Sequence, residues 1–179
     1  MPRNFLTDKV THGYLPPYLQ IAGEIGARGR VCEIGVHFGG SLDMWRALLP
    51  EGVIVGVDSN EQARWPTGTV RVVCEQTDPA LVELVQPSAP FDLIVDDASH
   101  EGVATRRTWE LLWPVLRDGG WYVIEDWMIG FPSWAGPEPA QPSMLTMARS
   151  FLDCLERPGD VESVTYRYGL IVLRKARRA

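Results

Sequence analysis

Arg30-Val-Cys-Glu-Ile-Gly-Val-His-Phe-Gly-Gly-Ser-Leu42 decides the fold. Residues 30–36 run nearly unbroken apolar, the pattern of a strand covered on both faces, and Glu33 is the exception that needs a reason. Gly35, Gly39 and Gly40 then let the backbone turn tightly and approach a ligand closely before a helix predicted over 41–49.

Working outward, apolar runs at 53–57, 70–74, 91–95 and 121–124 read as further strands, with helices predicted over 79–85 and 101–116. The longer helix carries Trp109, Leu112, Trp113 and Leu116 at helical spacing and ends at Asp118-Gly119-Gly120. Upstream, Leu15, Leu19, Ala22 and Ile25 predict a helix over 14–26. Downstream, a proline- and glycine-rich stretch at 128–142 precedes a helix over 143–156 and two strands, 161–168 and 170–175. Gly169 alone separates those strands, so they pair antiparallel. Strands alternating with helices imply a Rossmann-like, doubly wound α/β fold built on a mostly parallel sheet.

The 179 residues fit one domain, with 1–29 as an N-terminal helical segment and 127–142 as a lid or substrate loop. Hydrophobic residues make up 45% and charged residues 22%, which argues against extended disorder. A net charge of −6 and a pI near 5.1 give no field that would attract a phosphate backbone, so nucleic acid is not an expected partner. Charges interrupt every apolar run well before the roughly 18 to 20 residues of a membrane span, and the N-terminus lacks a secretory apolar region. Cys32, Cys74 and Cys154 are expected as reduced thiols in a cytoplasmic protein.

Ligands of open α/β sheets bind outside the carboxyl ends of the strands. The turn after the first strand fits neither G-x-G-x-x-G nor a P-loop ending in G-K-[ST], so a nicotinamide reductase is the weakest reading. Asp58, roughly 20 residues after the turn, can accept both hydroxyls of a ribose, which favours adenosine over pyrophosphate. Asp96, Asp97, Glu125 and Asp126 end two strands expected to be neighbours. Carboxylates so close need a cation, a proton or open solvent, and oxygen-only ligands suit Mg²⁺. Helix capping and solvated loop acids are the alternative.

Glu-Ile-Gly-x-x-x-Gly-Gly-Ser-Leu, Gly-Val-Asp58, Phe-Asp-Leu-Ile-Val-Asp-Asp-Ala-Ser-His100 and Tyr-Val-Ile-Glu-Asp126 together resemble class I S-adenosylmethionine-dependent methyltransferases. Within them the chain is most similar to the metal-dependent macrolide-sugar and rhamnosyl O-methyltransferases of antibiotic pathways. The resemblance covers 30–126 well and the end of the chain loosely. It implies a seven-stranded sheet whose last strand is antiparallel. It also implies that Gly35, Gly39 and Ser41 line the methionine end of S-adenosylmethionine, that Asp58 takes the ribose and that Gln76 and Asp78 flank the adenine. Glu33 would support the turn from below, and Asp97, Glu125 and Asp126 would hold Mg²⁺. Asp96, turned away from Asp97, would face the cofactor's amino group.

An alcohol is a poor nucleophile while protonated, so methyl transfer needs a base, a metal that acidifies the hydroxyl, or both. His100 is the candidate base. His37 and His12 are weaker candidates, His12 as a structural or lid residue. Trp127 and Trp134 could pack on an acceptor ring or serve as ordinary packing. The expected activity is Mg²⁺-dependent methylation of a hydroxyl on a small-molecule acceptor, a sugar or polyol of a natural product. The alternatives are a catechol-type acceptor and a non-catalytic S-adenosylmethionine-binding module. The short front end leaves room for a homo-oligomer that completes the pocket.

Overall fold

The computed structural model describes residues 5–131, 143–156 and 159–178. Seven strands form one sheet: β1 (Arg30–Ile34), β2 (Val53–Asp58), β3 (Val70–Val73), β4 (Phe91–Asp96), β5 (Leu116–Glu125), β6 (Val161–Arg167) and β7 (Leu170–Lys175). Their order is β3-β2-β1-β4-β5-β7-β6, and only β7 runs against the rest. The doubly wound, seven-stranded fold expected from the sequence is therefore present. After β1 the chain moves to β2 on one side and later to β4 on the other, which places the switch point at the carboxyl end of β1.

Among the described residues the α-helices are α1 (Asp8–Thr11), α2 (Leu15–Ile25), α3 (Gly40–Leu48), α4 (Ala80–Val85), α5 (Gly102–Leu112) and α6 (Met144–Ser150). Side chains alternate across each strand, so the sheet builds two cores. Val31, Leu93, Val95 and Val123 pack with Tyr14, Tyr18, Leu42 and Trp45 on the α2/α3 face. Cys32, Ile34, Ile94, Tyr122 and Ile124 pack with Leu81, Leu112 and Phe151 on the other.

Three boundaries differ from expectation by more than two residues. The helix predicted over 101–116 ends at Leu112 and tightens into a 3₁₀ turn, Trp113–Val115, because Pro114 has no amide to donate to the helical ladder. β5 begins at Leu116 and runs through Asp118-Gly119-Gly120, with Gly119 at φ +68°. The helix predicted over 143–156 stops at Ser150, followed by a 3₁₀ turn at Asp153–Leu155. The hairpin joining β6 and β7 turns through Tyr168 and Gly169, the latter at φ +71°. The predicted lid opens with a 3₁₀ turn, Trp127–Gly130, while 132–142, including Trp134, lie outside the described residues. Among the described residues no helix is long and apolar enough to cross a membrane.

Candidate active site

A cleft of about 670 Å³ opens at the carboxyl ends of β1 to β5. Its floor is the turn after β1. Gly35 has φ +96°, and a Cβ there would lie 1.9 Å from the carbonyl oxygen of Asp97, so only glycine lets these two strand ends meet. Asp58 braces the turn: Oδ2 accepts from the amides of Val36 (2.8 Å) and His37 (3.0 Å), and Oδ1 from Asn60 (2.8 Å). A carboxylate has about four lone-pair sites, so Asp58 keeps acceptor capacity for a ribose while performing a structural task the sequence did not reveal.

Of the residues read as cofactor-binding, Gly35, Ser41, Asp58 and Gln76 line the cleft. Gln76 is held by Thr108, to which its Nε2 donates (2.8 Å), and by the Ser99 amide, which donates to its Oε1 (3.1 Å). Gly39, Asp78, Glu33 and Asp96 do not line it. Gly39 starts α3 in the left-handed conformation, and a Cβ there would meet the Arg64 carbonyl at 2.5 Å. Asp78 accepts from the Ala80 amide (2.9 Å) at the start of α4. Glu33 is buried, with Oε2 accepting from the Trp45 indole (2.5 Å). The cleft also draws on Leu6, Thr7, Asp8, Ser59 and Glu75, which sequence reasoning did not assign, on Cys74, read only as a reduced thiol, and on His37, read as a weaker candidate.

Register explains the acids. Glu33 pairs with Val95 and Val95 with Val123, so these three share the α2/α3 face, and Asp97 and Glu125, two residues on, return to it. Asp96 points to the opposite face, as expected, but into the core rather than toward the cleft. Its Oδ2 has no hydrogen-bond partner among the described residues. Burial, and secondly the charge of Asp97, push its pKa up to about 8, so at neutral pH it is a neutral acid.

Three carboxylates on one buried face demand a counter-charge, and the chain supplies its own. Lys9, fully buried, places Nζ 3.2 Å from Glu33, 2.7 Å from Asp97 and 2.7 Å from Glu125. Burial works to lower the lysine pKa, but Glu33, Glu125 and Asp97 outweigh it and hold the ammonium well above its ordinary value. Asp97 and Glu125 are both raised by burial and pulled back by Lys9. Glu125 Oε1 also accepts from the Tyr18 hydroxyl (2.5 Å).

The groups that converge on the cleft are therefore Asp97, Asp126 and His100. Nε2 of His100 lies 3.8 Å from Asp97 Oδ1 and 3.8 Å from Asp126 Oδ2, and one ligand atom from each residue falls within 4.8 Å of the others. Glu125, read from the sequence as a third metal ligand, is not in this group: it is 2% exposed, and Oε1 is taken by Lys9 and Tyr18. His37, His100 and Asp126 all have left-handed backbones (φ 48°, 54° and 55°), rare for residues with a Cβ, and all three border the cleft. The donor set fits a hard divalent cation: two carboxylates present outward oxygens, and the open side leaves positions for acceptor oxygens. The glycine cradle and the bracing acid likewise fit an adenosyl cofactor.

A glycine turn at the switch point, an acid at the end of β2 and an acid–histidine cluster after β4 and β5 line one cleft of a doubly wound α/β fold, and their chemistry fits a nucleoside-type cofactor. The family described as "Methyltransferase domain" matches residues 32–127, and this chain belongs to it. It is similar to L-olivosyl-oleandolide 3-O-methyltransferase of Streptomyces antibioticus, with 34% identity over 155 residues, 76% of this chain and 40% of that protein. It is also similar to demethylmacrocin O-methyltransferase of Streptomyces fradiae, with 36% identity over 140 residues, 71% of this chain and 35% of that protein. The chain thus spans two-fifths or less of these relatives' length. Among solved structures, MycE methyltransferase from the mycinamycin biosynthetic pathway in complex with Mg and SAH superposes with a TM-score of 0.83 at 26% identity, covering 97% of this chain and 53% of that one.

Proposed function

We propose that this chain is an S-adenosylmethionine-dependent O-methyltransferase that uses Mg²⁺ to methylate a hydroxyl of a small-molecule acceptor, a sugar or polyol of a natural product bearing neighbouring oxygens. The observation that carries it is the convergence of Asp97, His100 and Asp126 at the mouth of a cleft floored by Gly35 and braced by Asp58. The similarity to sugar O-methyltransferases of antibiotic pathways, and to a structure holding Mg and SAH, supports the acceptor class and both cofactors.

When bound, S-adenosylmethionine supplies an electrophilic methyl group and Mg²⁺ makes the acceptor hydroxyl more acidic. The turn 35–41 receives the methionine end, Asp58 the ribose, and Gln76 borders the base. Asp97 and Asp126 would hold the ion through the oxygens they turn toward His100. His100 Nε2 would take the proton of the acceptor hydroxyl, and the two neighbouring carboxylates, each 3.8 Å away, would stabilise the imidazolium so formed.

The test is transfer of labelled methyl from S-adenosylmethionine to a panel of diol-bearing glycosides and catechols, with Mg²⁺ or with EDTA. Mg²⁺-dependent labelling lost in His100→Ala supports the reading. Undiminished labelling in EDTA refutes the metal role, and cofactor binding without labelling of any acceptor supports a non-catalytic module instead.

A further inference from the structure

The acids of the cluster share their oxygens between two sides. Asp97 gives Oδ2 to Lys9 (2.7 Å) and turns Oδ1 toward His100. Asp126 gives Oδ1 to the Tyr14 hydroxyl, which donates at 2.5 Å, and turns Oδ2 toward His100. Glu125 gives Oε1 to Tyr18 and Lys9. One stretch of ten residues, 9–18, therefore supplies a donor to each acid from the side away from the cleft.

The Tyr14 hydroxyl is built into place. The residue is 1% exposed, its ring meets His12 edge-on at 5.4 Å, and its hydroxyl lies where a Cβ on Gly169 would be, 1.8 Å away. Asp126, its acceptor, has the left-handed backbone at φ 55°. A non-glycine residue stays there only when its surroundings over-determine it, and the Tyr14 bond is one such constraint.

We infer that Tyr14, with Lys9, is a positioning residue of the metal site: it engages one oxygen of Asp126, as Lys9 does of Asp97, so that each acid presents a single outward oxygen to the ion beside His100. This rests on the metal-assisted reading above. Groups that orient a metal ligand from behind commonly change affinity by about 10- to 100-fold when removed. Tyr14→Phe is the clean probe because it deletes one O–H and leaves the charge and ring packing unchanged.

The experiment is Mn²⁺ binding to the protein without acceptor, by electron paramagnetic resonance, together with calorimetry of S-adenosylhomocysteine. Tyr14→Phe is expected to bind Mn²⁺ about 10- to 100-fold more weakly than wild type, with S-adenosylhomocysteine affinity within about twofold. Raising Mg²⁺ in the transfer assay should restore kcat, which a general structural defect would not allow. Wild-type Mn²⁺ affinity in Tyr14→Phe overturns the inference and leaves the metal reading standing. No Mn²⁺ binding by the wild type overturns both. Should Tyr14→Phe fail to fold, Gly169→Ala, which pushes the same hydroxyl aside, is measured in its place with the same outcomes.

Discussion

Replacing Lys9 with methionine keeps much of the side-chain volume and removes the ammonium that sits among Glu33, Asp97 and Glu125. The ammonium touches all three carboxylates within 3.2 Å and is fully buried, so water cannot take its place without opening the core. Removing one partner of a buried ion cluster costs about 3–5 kcal/mol. For a chain of this size that lowers Tm by roughly 6–20 °C. The pH dependence follows from the acids left behind. Without Lys9 the folded-state pKa values of Asp97 and Glu125, already raised by burial, rise further above their unfolded values. A raised carboxyl contributes stability that is complete below the unfolded pKa and is lost as pH rises through the folded one. The deficit of Lys9→Met relative to wild type should therefore be small near pH 5 and largest near pH 9. Urea unfolding of both proteins at several pH values measures it. A loss under about 1 kcal/mol at pH 8, independent of pH, would show that Lys9 does not sit among these acids.

Gly35→Ala should abolish S-adenosylhomocysteine binding by calorimetry and destabilise the fold by several kcal/mol, because its Cβ would lie 1.9 Å from the Asp97 carbonyl oxygen at φ +96°; measurable binding with near-native stability contradicts the cradle. Asp96 has its pKa raised to about 8, chiefly by burial, so its neutral form favours the fold below that pH and the advantage is lost as pH rises through it. Asp96→Asn, which mimics the neutral acid, should hold its Tm between pH 7 and 9 while the wild type falls, and parallel melting curves would refute this.

Much of the sheet is legible in the sequence because buried parallel strands are short, apolar and punctuated by glycine. The runs at 30–36, 53–57 and 91–95 correspond to β1, β2 and β4 to within two residues. β5 is longer than its apolar run: Asp118-Gly119-Gly120 carries the chemistry of a helix stop, yet β5 runs through it. At the site, the motifs locate the turn, Asp58, Asp97, His100 and Asp126, all of which border the cleft. They do not say which way a carboxylate turns, and so Glu125 reads as a metal ligand and Asp96 as facing the cofactor's amino group, while in the fold Glu125 meets Lys9 and Asp96 turns into the opposite core. Lys9, Tyr14 and Tyr18 are invisible to motif reasoning because Asp97, Asp126 and Glu125, the acids they respectively donate to, lie 88 to 112 residues away. One signal was present. The chain has 17 basic residues of which only two, Lys9 and Lys175, are lysines, and both are buried, with Lys175 donating to the carbonyls of Trp113 and Leu116. Glu33 in the middle of an apolar strand was the complementary sign that a cation had to be found.

The most direct measurement is a crystal structure with S-adenosylhomocysteine and Mn²⁺, located by anomalous scattering. The expected result is a single manganese peak in contact with Asp97 and Asp126 beside His100, with the thioether sulfur over the Gly35 turn. A peak remote from these acids, or an adenosyl group outside the cleft bounded by Asp58 and Gln76, would contradict it.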